Sequence, residues 1–177
     1  MIYVKNISYM LSHIFFIVFI YLFMIHRFSQ KKTIVICFFS CTVMNLLDSL
    51  KLNLFPGSDF VYFFTTITQI AVAQFTGVYI SKKRDSRALF ISLSASNYVI
   101  VGSITASILY ILTDSIILAL AGNLPMHLAI LFVLFGRLGN IFHKFCERDF
   151  GKSWWGLCLI PVFFFCSFSC LAFFPYT

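Results

Sequence analysis

The run from Ala88 to Gly136 holds 49 residues without a Lys or Arg, and Asp114 is its only formal charge. Arg87 closes it on one side and Arg137 on the other. A single membrane-crossing helix takes about 20 apolar residues. The run is therefore long enough to cross a bilayer, turn at the far side and return. Its first half is rich in small and hydroxylic residues, Ser92 to Asn97 and then Gly102 to Ser107. Such residues at helical spacing let helix backbones approach closely in lipid. The pattern predicts an inner hairpin around which bulkier, Phe-rich helices pack.

Composition extends this to the whole chain. It is 60% hydrophobic and only 11% charged, where a soluble domain carries about a quarter charged. The expected fold class is an all-α membrane protein, a polytopic bundle of about six transmembrane helices in one domain. The expected spans are 7–25, 33–50, 60–80, 88–112, 116–138 and 154–174. Every spanning backbone group must then bond within its own helix. The first apolar stretch exceeds the ~7–15 residues of a signal-peptide core, and no small-x-small cleavage site follows. The net charge of +7 does not point to nucleic acid: the basic residues sit in short clusters between apolar runs, with no aromatic-interleaved basic stripe.

Those clusters orient the bundle. Loops 26–32, 82–87 and 137–153 share one side by parity and hold eleven of the thirteen Lys and Arg residues; Lys5 and Lys51 are on the other side. The positive-inside rule places both termini outside the cytoplasm. Thr113-Asp114-Ser115 is the expected far-side turn. Gly122-Asn-Leu-Pro125 is the alternative, and it would bury Asp114. Pro125 cannot donate to the carbonyl of Ala121, so a kink or break is expected there. Trp154 and Trp155 suit a membrane interface. The six cysteines include no Cys-x-x-Cys and read as small apolar packing residues.

Polar side chains inside hydrocarbon are expensive and become candidates for function. Asn45 and Asp48 share one face of the second helix near its outer end, where they could receive a ligand or simply reach headgroups and water. Asn97 lies near mid-bilayer and needs a partner on another helix, with Gln69 and Gln74 at comparable depth. Asn45, Asp48, Gln69, Gln74, Asn97 and Ser103 are the ligand-binding or switch candidates. Gly102, Ala106 and Ser107 are read as helix-packing positions, suited to close contact within the subunit or in a homodimer. His13 and His127 have no evident ionic partner and read as hydrogen-bonded packing residues. His143, Cys146 and Glu147 form only a fragment of a metal site. No catalytic set, metal set or cofactor fingerprint is present: there is no Gly-rich phosphate loop, Ser nucleophile elbow or nucleotide motif.

The stretch Arg87-Ala-Leu-Phe-Ile-Ser-Leu-Ser-Ala-Ser-Asn-Tyr-Val-Ile-Val-Gly102 and the segment from Trp154 to Tyr176 carry a resemblance. The chain resembles, over nearly its whole length, the membrane sensor region of GHKL-type sensor histidine kinases of Firmicutes. These are relatives of the peptide-pheromone receptor kinases of accessory gene regulator systems. The resemblance implies reception of a peptide or small-molecule signal in the bacterial cytoplasmic membrane. It implies transmission to a dimerisation helix with a phosphoacceptor His, then an ATP-binding domain and a cytoplasmic response regulator. None of those parts lies within residues 1–177, so a sensor module lacking its kinase domain is expected, and a seventh span would be needed to reach the cytoplasm. His143 lies between spans five and six and does not read as the phosphoacceptor.

Two other classes fit the size. One is a small-molecule-binding membrane subunit of an energy-coupling transporter, which would need an ATPase partner. The other is a pheromone-processing membrane cysteine protease built on His143 and Cys146.

Overall fold

The computed structural model describes residues 2–55, 57–83, 85–147 and 153–173, without the side chains of 2–6, 8, 9, 59, 103, 153 and 168–173. Its elements are α1 (Ile2–Phe23), α2 (Gln30–Leu54), α3 (Asp59–Ile80), α4 (Ser86–Thr113), α5 (Ile116–Val133), a π-helical turn (Leu134–Leu138), α6 (Gly139–Glu147) and α7 (Ser153–Phe173). The chain is an all-α bundle with an apolar exterior. Phe38, Phe39, Phe60, Phe75 and Phe132 face outward, the last 81% exposed, whereas Ser12, Asp48, Ser92, Asn123 and His127 are buried. Apolar outside and polar inside is the arrangement a bilayer selects. Among the described residues, four stretches are long and apolar enough to cross one: Gln30–Leu54, Phe60–Ile80, Ser86–Thr113 and Ile116–Glu147. Among the described residues α1 and α7 contribute shorter apolar stretches, Met10–Phe23 and Trp154–Ser167.

Local chemistry ends the helices beyond the apolar limits. Ser58 caps α3 through Val61 N–H, Asp85 caps α4 through Arg87 N–H, and Ser115 caps α5 through Leu118 N–H. These oxygens satisfy donors that helix geometry leaves open. α1 to α4 exceed the expected spans in length, α7 equals its span, and α5 stops at Val133, with the π-helical turn to Leu138 completing the expected 116–138. In particular, Lys51 to Leu54 continue α2 rather than forming a loop, because Lys51 finds Asp48 one turn back.

Asp114 makes the turn between α4 and α5. It adopts a left-handed conformation (φ 47°) and donates its N–H to Tyr110 O. Asp tolerates this region better than most residues. The alternative turn at Gly122–Pro125 is not used, and Asp114 is exposed. Nor does Pro125 break the helix: α5 continues through it, with Asn123 and His127 buried on either side. The departure from α-geometry comes later, in the π-helical turn that carries Arg137.

α4 is the hub, packed on α1, α3, α5 and α7. Its small residues permit this. Gly77 of α3 faces Ser92, and Gly102 faces His127 and Asn123 of α5, each with no room for a Cβ. Ala106 is fully covered and Ser107 half-buried. The expectation of an α4–α5 hairpin as the inner element needs one correction. α1 is as central as α5, and it supplies Phe15, Phe16, Ile17, Phe19, Ile20 and Phe23 to the core. Large rings there fill the grooves left by the small residues of α4.

Basic clusters meet at one end. Arg27 N–H donates to Ile80 O at 2.9 Å and Lys82 N–H to Ile25 O at 2.8 Å, which ties the α1–α2 and α3–α4 connections together. Arg87 reaches Cys146 O at 3.3 Å, His143 Nε2 lies 3.1 Å from Leu22 O, and Cys158 Sγ donates to Ser86 O at 3.2 Å. Arg84, Arg148 and Lys152 lie outside the described residues.

Candidate functional site

A polar layer crosses the bundle at mid-height. His13 lies ten residues from the end of α1, Gln69 eleven from the end of α3, and Asn97 eleven into α4. At helical rise each is about 15–17 Å above the basic end, half the thickness of a bilayer core. Asp48 joins this level because α2 overhangs. Ser40, ten residues into α2, meets Thr76, four from the end of α3, at 2.8 Å. Residue spacing alone puts Asp48 near the outer end of its helix; packing lowers it to the middle.

At the α1–α2 junction three ionisable groups converge. Lys51 Nζ donates to Asp48 Oδ1 at 2.8 Å. His13 Nδ1 lies 3.5 Å from Asp48 Oδ2 and 3.2 Å from Asn45 Oδ1. Asn45 Nδ2 points the other way, to Cys41 Sγ at 3.6 Å. Lys51 Nζ also sits 4.5 Å over the Tyr62 ring of α3. Asp48 is 1% exposed and Lys51 6%. Taking such charges out of water is costly, and only close pairing makes it tolerable. His13 therefore lies beside a carboxylate that spacing alone did not reveal.

Ser12, the neighbour of His13, turns toward α5. Its Oγ is 3.4 Å from His127 Nε2. The His127 imidazole is fully buried, stacked on Phe15 at 4.6 Å and met edge-on by Tyr98 at 4.8 Å. Tyr98 Oη donates to the His127 carbonyl at 3.1 Å. His127 thus has the packing and hydrogen-bonded role expected of it.

The amide candidates hold different partners from those expected. Asn97 Nδ2 donates to Pro161 O of α7 at 2.8 Å, not to α3. Gln69 Nε2 donates to Met44 O of α2 at 3.0 Å, and Gln74 Nε2 to Ser96 Oγ of α4 at 3.4 Å. Each is an interhelical bond, and together they tie α2 to α3, α3 to α4 and α4 to α7. Such bonds contribute about 1 kcal/mol or less apiece in a bilayer. The Ser103 side chain lies outside the described residues. His143 Nε2 lies against the Leu22 carbonyl and makes no hydrogen bond to Cys146 among the described residues.

A file of aromatic rings descends from this layer to the basic end. Tyr98 follows His127, then Phe19 (5.3 Å), Phe23 (4.6 Å), Phe142 (5.3 Å), Phe90 (6.3 Å) and Trp154 (5.9 Å). All are centroid separations at which rings attract. Phe135, inside the π-helical turn, meets Phe23 edge-on at 6.1 Å. Trp154 ends the file beneath the Arg87 guanidinium at 5.8 Å. Of the two tryptophans only Trp155 is exposed, and Trp154 is buried; packing of α7 on α4 draws it inward. Burial works against the Asp85 charge, but hydrogen bonds and attraction from Arg87 outweigh it and hold the carboxyl below its ordinary range.

No signal in the sequence singles out this file, because Phe occurs 24 times. No family model, curated protein or solved structure matches the chain.

Proposed function

We propose that the chain is the signal-receiving membrane module of a sensor, of the kind carried by two-component sensor histidine kinases. The observation that supports it most is the ring file joining the mid-membrane polar layer to the Arg87 end. A change in packing at the layer has a continuous set of contacts through which to reach the basic loops. The π-helical turn lies along that route, and such turns often mark functional positions in helices. In this reading a signal biases two packings of the bundle. Asn45, Asp48, Gln69, Gln74 and Asn97 belong to the switching layer. The module works in the bacterial cytoplasmic membrane with its basic end inside and both termini outside. A homodimer would pass the change to a kinase and through it to a response regulator.

Sequencing the native coding DNA past codon 177 tests the reading. It predicts an in-frame seventh apolar span, then a dimerisation helix and an ATP-binding domain. A stop codon directly after Thr177 would contradict the kinase assignment.

A further inference from the structure

We infer that the α1–α2 junction is a proton-binding site whose switch is the choice His13 makes between Asn45 and Asp48. The inference names the proton as what the polar layer receives, and it rests on the signal-receiving reading only for the consequence at the basic end.

The geometry is that of one donor facing two acceptors. His13 Nδ1 is 3.2 Å from Asn45 Oδ1 and 3.5 Å from Asp48 Oδ2, two oxygens one helical turn apart on α2. Asn45 directs its amide nitrogen to Cys41 Sγ, which leaves the oxygen for His13. The other oxygen of Asp48 is held by Lys51, and Asp48 Oδ2 has no hydrogen bond among the described residues. With His13 uncharged, Asp48 and Lys51 cancel, and the shorter contact to Asn45 is the hydrogen bond.

A proton taken from water adds at Nε2, since Nδ1 already carries one. The imidazolium then favours the carboxylate over the amide, because a charge-assisted bond is about twice as strong as a neutral one. Low polarity around the site magnifies the difference. His13 moves toward Asp48, and α1 shifts against α2. The other ionisable groups nearby are Lys51 and Cys41 from α2 and Tyr62 from α3, which lies under Lys51. Tyr98 of α4 and His127 of α5 gather around the adjacent Ser12, and His143 of α6 meets only the end of α1. Phe15, Phe19 and Phe23 fill the α1 core toward the basic end.

The test is nitrogen NMR of the full chain, labelled with 15N-histidine, in nanodiscs of phosphatidylethanolamine and phosphatidylglycerol. Loss of a signal in His13→Gln assigns the resonance among the four histidines. On going from about pH 8 to about pH 5, the range in which imidazoles ordinarily charge, the His13 signal should move to the imidazolium position. At the acid end Asp48→Asn should lower the protonated fraction several-fold, and Lys51→Met should raise it. A His13 signal that stays neutral throughout, or a fraction unchanged in both variants, would overturn the site. If either variant does not fold, the pH titration of the unaltered chain still decides. A neutral His13 would leave the signal-receiving reading standing, since neither the ring file nor the downstream coding sequence depends on it.

Discussion

Gly102 of α4 lies against the His127 imidazole of α5 so closely that a Cβ would occupy the ring's position and come within 2.9 Å of Asn123 Oδ1. The α4–α5 contact is therefore made by the absence of a side chain. Gly102→Ala should destabilise the bundle by about 1–3 kcal/mol, the usual cost of overpacking. His127→Ala in the same chain should recover much of that loss. Unfolding in mixed micelles measures both. Equal effects of Gly102→Ala with and without His127 would show that the contact is not the cause.

The buried Asp48–Lys51 pair yields an asymmetric prediction. Lys51→Met leaves Asp48 charged and buried without its cation, and removal of one partner from a buried pair costs about 3–5 kcal/mol. Replacing both, as Asp48→Leu with Lys51→Met, should cost less than Lys51→Met alone. The same unfolding measurement gives the comparison, and a double variant weaker than the single one would contradict the pairing.

The connection at the basic end should respond to pH. Burial, and then the nearby His143, push the His26 imidazole below its ordinary value of 6.5, against a hydrogen bond that the ring donates to the Tyr21 backbone carbonyl. A lowered imidazole means that the unfolded chain binds its proton first. His26 therefore supports the fold fully above pH 6.5, and that support is lost as pH falls toward the folded value. Protection factors of the Arg27 and Lys82 amides, which bond Ile80 O and Ile25 O, should drop on acidification. In His26→Phe this drop should disappear. A drop of the same size in the variant would assign it to another group.

The membrane fold was legible from the chain because uninterrupted apolar length is a one-dimensional property. The long charge-poor run and the small residues of α4 could be read in this way, whereas the choice between the Asp114 turn and Gly122–Pro125 could not, since both fit the length of the run. Mid-membrane depth was partly legible: Asn97 could be placed by helical rise, but its partner Pro161 could not. Asp48 shows why. Its height depends on the overhang of α2, set by Ser40 meeting Thr76, and its neighbour His13 belongs to another helix. The burial of Trp154 was hidden for the same reason, since it is decided by what α4 and α7 do together.

Most directly, the account is tested by whether the polar layer is coupled to the Arg87 end. The full chain carrying fluorinated tryptophan in nanodiscs gives two fluorine signals, buried Trp154 at the foot of the ring file and exposed Trp155 beside it. Asp48→Asn alters only the mid-membrane junction. The account predicts that the Trp154 signal shifts or splits while that of Trp155 stays in place. A Trp154 signal identical to that of the unaltered chain, in a variant that remains folded, would contradict it.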